Sequence, residues 1–206
     1  MKQLDFFGEI GESKDLNTSI FDYHPGLFTI AESENYIQKL INDVSWKQRS
    51  VLMYGKEVIT PRLTAWFGDP DTDYSIKGDD SVPMPWTKEL LEIKARVESL
   101  SHIKFNSVLL NYYRDGNDSV DWHNDGNGVP GRDMFVASVS FGQERQFDIR
   151  SKTDHSSKFS VLLENGSYLL MKGNFQDDWE HRIAKSKQPM RARVNLTFRI
   201  ILDKKQ

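Results

Sequence analysis

From about residue 105 onward the chain is a succession of short β-prone runs cut apart by Gly, Asn and Asp. No other feature narrows the fold as much. Val108-Leu109-Leu110-Asn111-Tyr112-Tyr113 is the first run, and a turn follows at Asp115-Gly116. Phe135 to Phe141 sets small polar Ser138 and Ser140 against Ala137, Val139 and Phe141. Runs at 146–150, 159–163, 168–171 and 193–202 complete the series. Short strands separated by turn residues build an antiparallel sandwich or barrel. Two helical patterns precede them. Tyr36, Ile37, Leu40 and Ile41 share one face over 34–45, with Ser33 as the expected N-cap. Leu90, Leu91, Ile93, Val97 and Leu100 do so over 87–100, with Thr87 as the cap. The expected class is α+β, with the N-terminal helices backing a jelly-roll core.

The 206 residues suit one domain. It divides into an N-terminal arm at 1–30, a hairpin-bearing segment at about 46–80, and a strand-rich core at about 105–202. Hydrophobic content of 38% and charged content of 28% are those of a soluble globular protein. No apolar run approaches a membrane span, and the N-terminus lacks the apolar stretch of a signal peptide. The absence of Cys excludes disulfides, thiolate metal sites and Cys nucleophiles. A reducing compartment is expected: the cytoplasm of a bacterium, or a eukaryotic nucleus. A net charge of −3 argues against nucleic-acid binding driven by overall charge and leaves binding through a local patch open. A monomer is expected.

The chemistry concentrates in three places. His123-x-Asp125 places an imidazole and a carboxylate two residues apart, so an extended segment aims both at one point. His181 is the plausible third ligand. Two His and one carboxylate cap one face of a metal and leave the opposite positions open, which suits a non-haem Fe(II) and also a catalytic zinc. The chain shows no H-E-x-x-H. Arg193 and Arg199, six residues apart, can grip a dicarboxylate by paired charge-assisted hydrogen bonds. That role suits a 2-oxo diacid and has no counterpart in zinc hydrolysis, so iron is favoured.

At these residues the chain resembles the AlkB-type Fe(II)/2-oxoglutarate dioxygenases, the oxidative nucleic-acid dealkylases. The likeness runs from about Pro61 to Ile201. It is carried by Asn111-Tyr112-Tyr113-Arg114-Asp115-Gly116, Trp122-His123-Asn124-Asp125, Ala137-Ser138-Val139-Ser140-Phe141-Gly142 and Arg193-Val194-Asn195-Leu196-Thr197-Phe198-Arg199. Pro61-Arg62 and Trp66-Phe67-Gly68-Asp69 resemble the stretch that opens the family's substrate lid. The resemblance implies a double-stranded β-helix with a nucleotide-recognition lid. It implies His123, Asp125 and His181 as iron ligands and catalytic centre. Arg193, assisted by Tyr113, would hold the distal carboxylate of 2-oxoglutarate. Arg199 and Asn111 would lie near the carboxylate by the metal, and Asn195 would complete the pocket. The cofactors implied are Fe(II), 2-oxoglutarate and O2. The products are succinate, CO2, formaldehyde and a repaired base.

The substrate implied is alkylated DNA, single- or double-stranded, bearing N1-methyladenine or N3-methylcytosine. A base inside a duplex must be flipped to reach an enclosed iron. The run at 51–58 reads as a hairpin with its turn at Gly55-Lys56, and Tyr54 is nominated as the wedge that fills the gap. Trp66 and Tyr74 are placed to stack on the base, and Arg62, Arg145, Arg150 and Lys152 to meet phosphates. Asn127 stands where the DNA-repair members carry an acid, which puts base preference in question and leaves the iron site untouched. Gln3-Leu4-Asp5-Phe6-Phe7 is similar to the short peptide by which bacterial repair proteins dock on the sliding clamp. The alternatives are a related oxygenase acting on RNA or protein, and a non-catalytic damage-binding module.

Overall fold

The alternation of the C-terminal half is realised as two antiparallel sheets. The computed structural model describes residues 20–53, 56–70, 82–125 and 135–201. In chain order the elements are β1 (Phe21–His24), α1 (Ile30–Asp43), β2 (Lys47–Met53), β3 (Lys56–Gly68), α2 (Lys88–Ser101), β4 (Ser107–Tyr113) and β5 (Val120–His123). Then come β6 (Val136–Gly142), β7 (Arg145–Ser151), β8 (Lys158–Leu163), β9 (Ser167–Met171), α3 (Phe175–Asp178), β10 (Trp179–Ile183) and β11 (Arg193–Arg199). The major sheet runs β1-β9-β6-β11-β4-β3-β2 and the minor sheet β5-β10-β7-β8. This is the expected α+β jelly roll. No described helix is long and apolar enough to cross a membrane.

Both faces of the major sheet are covered, and the period-2 pattern of its strands decides what each face meets. Val194, Leu196 and Phe198 of β11 join Ala137, Val139 and Phe141 of β6, and Val108 and Leu110 of β4. Against this layer pack Ile37 and Leu40 of α1 and Leu90, Ile93 and Val97 of α2. The alternate residues of the same sheet face the minor sheet. There Tyr113, Val136, Leu169 and Met171 meet Phe147, Ile149, Leu163 and Ile183.

Helix α2 starts where expected, with Thr87 Oγ1 accepting from Leu90 N–H. Helix α1 starts earlier than its apolar pattern suggested. Thr29, not Ser33, is the N-cap, and Thr29 and Glu32 satisfy each other's backbone N–H groups as a capping box. Ser33 is buried instead, its hydroxyl donating to the Thr29 carbonyl. The hairpin also differs. Met53 pairs with Lys56, so Lys56 belongs to strand β3 rather than to the turn. Strand β3 pairs with β4 only from Leu63 onward, so the β2–β3 ribbon extends beyond the sheet.

Candidate metal and co-substrate site

The polar alternates of the major sheet stand in register. Arg193, Asn195, Thr197 and Arg199 of β11 lie opposite Tyr113, Asn111, Leu109 and Ser107 of β4. On the other side Arg193, Asn195 and Thr197 face Gly142, Ser140 and Ser138 of β6. One strand thus delivers both arginines and the amide to a single surface, because every second residue points the same way.

The candidate ligands come from the facing sheet. His181 of β10 is the register partner of His123 of β5, and their rings lie 4.3 Å apart. Strand β5 ends at His123, so Asp125 is reached by the chain after the strand rather than by strand alternation. Even so, one donor atom from each of His123, Asp125 and His181 lies within 4.8 Å of the others. His123 Nδ1 is 2.8 Å from the Asp121 carbonyl. A carbonyl only accepts, so Nδ1 carries the proton and the Nε2 lone pair is left for a metal. His181 is buried beside the rings of Phe147 and Phe175. Burial pushes its pKa down to about 3 against the pull of Asp125, so the imidazole is neutral, as ligation requires. Burial alone would raise the Asp125 carboxyl, but the Arg199 guanidinium, with the two histidines, outweighs it and holds the group below its ordinary value. Arg199 Nη2 donates to Asp125 Oδ1, while Oδ2 lies 3.6 Å from His181 Nε2. Two imidazoles and an ionised carboxylate fit a divalent cation.

Arg193 is almost fully enclosed, at 1% exposure. Its Nη2 donates to Ser140 Oγ at 3.0 Å, its guanidinium lies over the Tyr113 ring, and Nε and Nη1 have no partner among the described residues. Burial lowers its pKa to about 10, so it stays cationic at neutral pH. A buried cation with two unpaired nitrogens fits an anionic oxygen pair, because an unpaired buried charge is costly. Asn195 is already engaged. Its Nδ2 donates to Ser138 Oγ and the Val139 carbonyl, and its Oδ1 accepts from Thr197. Asn111 Oδ1 accepts from Arg62 Nε at 2.8 Å. All eight residues expected at the metal and co-substrate, with Arg62, line one cavity of about 170 Å³.

The remaining expectations divide. Trp66 stands on the site-facing side of β3, partly buried, its indole donating to Ser107 Oγ at 2.7 Å. Tyr54, Tyr74, Asn127 and residues 3–7 lie outside the described residues. Arg145 is no phosphate contact. It is buried and donates to the carbonyls of Asp115, Asp118 and Ala184. Arg150 pairs with Glu180 and lies over the Trp122 ring, and Lys152 donates to the Gln176 carbonyl. Sequence reasoning missed Gln176, whose Oε1 accepts the Asp125 N–H at 2.8 Å. It sits in a one-turn helix and leaves no pattern. It also missed Ser138 and Ser140 as site residues, although their alternation with apolar neighbours carried the signal.

Comparison with known proteins agrees with this geometry. Residues 21–199 match the 2OG-Fe(II) oxygenase superfamily. The chain is 37% identical over 186 residues to the alpha-ketoglutarate-dependent dioxygenase alkB homolog 3 of Mus musculus, covering 86% of this chain and 65% of that protein. It therefore spans just under two thirds of that relative's length. It is 32% identical over 190 residues to the DNA oxidative demethylase ALKBH2 of Mus musculus, covering 87% of this chain and 80% of that protein. The solved structure of OsALKBH1 has the same fold, with a TM-score of 0.59 at 17% identity, covering 87% of this chain and 97% of that one. A family match across most of the chain, and a convergent ligand trio inside the matched fold, lead to one conclusion: the chain belongs to the 2OG-Fe(II) oxygenase superfamily, among its AlkB-type dioxygenases.

Proposed function

We propose that this protein is an Fe(II)- and 2-oxoglutarate-dependent oxidative demethylase that repairs N1-methyladenine and N3-methylcytosine in DNA. The observation that carries the reading is a single cavity lined both by His123, Asp125 and His181 and by the incompletely paired Arg193. The relative named DNA oxidative demethylase ALKBH2 supports the substrate class.

In this reading His123, Asp125 and His181 hold Fe(II). When bound, the metal with 2-oxoglutarate and O2 supplies the oxidising power that hydroxylates the methyl carbon, after which formaldehyde leaves. The chain's own residues do the rest. The Asp121 carbonyl fixes the His123 tautomer. Arg199 holds Asp125 Oδ1 and so leaves Oδ2 toward the metal. Arg193 takes the distal carboxylate on Nε and Nη1, with Tyr113 supporting the guanidinium plane. Arg199 and Asn111 flank the inner carboxylate, and Asn195 keeps the cavity wall in place through Ser138 and Thr197. Leu109, Val120, Phe147, Leu163 and Ile183 supply apolar lining that limits water. Strand β3, bearing Arg62 and Trp66, acts as the nucleotide-recognition side, with Tyr54, Tyr74 and Asn127 completing the base contacts.

The test gives purified protein Fe(II), 2-oxoglutarate and methylated DNA or RNA oligonucleotides, and reads products by mass. Methyl loss from DNA in step with succinate formation is expected, and His181→Ala abolishes both. Consumption of 2-oxoglutarate with no methyl loss from any DNA lesion would sink the DNA reading, and methyl loss confined to RNA would redirect it.

A further inference from the structure

We propose that Gln176 is a positioning residue for the metal centre, acting through the backbone of Asp125. The inference rests on the reading of His123, Asp125 and His181 as the metal site. Asp125 lies beyond the end of β5, so no strand ladder fixes it. Its N–H donates to Gln176 Oε1 at 2.8 Å, in a fully buried bond. Gln176 is itself only 3% exposed. It belongs to α3, the single turn that runs straight into β10 and reaches His181 five residues later.

The amide has a defined sense. Gln176 Nε2 lies 3.4 Å from Met171 Sδ at the end of β9, so the NH2 group faces a weak acceptor and the carbonyl oxygen faces the Asp125 N–H. The reverse orientation would set two donors against each other. The turn is anchored from a third side, because Lys152 Nζ donates to the Gln176 carbonyl at 2.7 Å and the Lys152 N–H to the Asp178 carbonyl at 2.9 Å. One side chain therefore joins the major sheet at Met171, the segment carrying Asp125 and the strand carrying His181. Without its oxygen the Asp125 N–H is a buried orphan, and the aim of the carboxylate depends on Arg199 alone. Groups that orient ligands in this way typically govern metal affinity by about 10–100-fold.

The experiment titrates Mn(II) alone into the full chain, reading free ion by electron paramagnetic resonance. Gln176→Met keeps the length of the side chain and loses the acceptor. Its Mn(II) dissociation constant is expected to rise by about tenfold or more. Gln176→Glu keeps an oxygen at the same reach and is expected to stay within about threefold of wild type on the same scale. Wild-type affinity in Gln176→Met overturns the inference, and so does equal weakening in both variants, which would reduce Gln176 to a space-filler. Should Gln176→Met not fold, amide exchange at Asp125 in Gln176→Asn decides, since protection equal to wild type overturns the hydrogen bond's role. A His181→Ala control that titrates like wild type would instead overturn the metal site itself.

Discussion

Arg193 and Arg145 are both buried cations, and they are satisfied in different ways. Arg145 donates to three backbone carbonyls and is complete within the chain. Arg193 donates to Ser140 and leaves Nε and Nη1 without a partner among the described residues. In the proposed function, a co-substrate carboxylate at Arg193 completes the fold locally as well as serving the chemistry. A ligand that binds only the native state at a hundredfold its dissociation constant stabilises by about 2.7 kcal/mol. For a domain of this size that corresponds to roughly 5–10 °C in Tm. Calorimetry with and without 2-oxoglutarate should show such a rise in wild type. Arg193→Met should lose the rise while keeping the Tm of the ligand-free protein, because removing an unpaired buried charge is close to neutral. A retained rise in the variant would place the diacid elsewhere. The sequence made the two strand arginines legible through their spacing, and it misassigned Arg145. Charge is visible in a sequence and burial is not, so a buried structural arginine reads like a surface one.

Among the elements, α2 is joined by a carboxylate to the segment that leads into β4. Glu98, buried near the C-terminal end of α2, accepts from Lys94, Lys104 and the Phe105 N–H. Burial would raise its pKa, but those three partners outweigh burial and hold it below the ordinary glutamate value. A folded-state pKa below the unfolded one contributes stability that is fully present above the unfolded value, about 4.5. That contribution is lost as the pH falls through the folded value. Urea midpoints of wild type and Glu98→Gln should therefore differ at pH 7 and converge as the pH falls through the folded-state value below about 4.5. A gap independent of pH would show that packing, not ionisation, sets the difference. Both helices and most core strands were legible because their apolar periods are long enough to count. The strands β1, β5 and β10 were not. Val120-Asp121-Trp122-His123 and Trp179-Glu180-His181-Arg182-Ile183 mix charge with aromatic residues and show no clean alternation. They become strands because each finds a partner far away in the chain, as His123 finds His181. Two of the three candidate metal ligands thus stand on strands that local pattern does not reveal, although the residues themselves were identifiable by type.

The whole molecule is a three-layer arrangement: helices, the major sheet, and the minor sheet beyond the cavity. Strand β11 runs through the middle of the central layer, between β6 and β4. Successive β11 residues serve different masters. Val194, Leu196 and Phe198 belong to the helix-backed core, while Arg193, Asn195 and Arg199 line the cavity. Truncating Leu196 or Phe198 to Ala should remove about 2–5 kcal/mol of stability. Changing Arg193 or Arg199 should remove turnover and leave most of the protein folded. A saturation scan of residues 193–199 that measures cellular abundance and the proposed demethylation side by side would then show two interleaved combs. Abundance drops at every even position, and turnover drops at the odd, cavity-lining positions, with the least loss of abundance at the two terminal arginines. Tolerance to change along this strand is therefore not a gradient from core to surface. It alternates residue by residue between two unrelated kinds of failure.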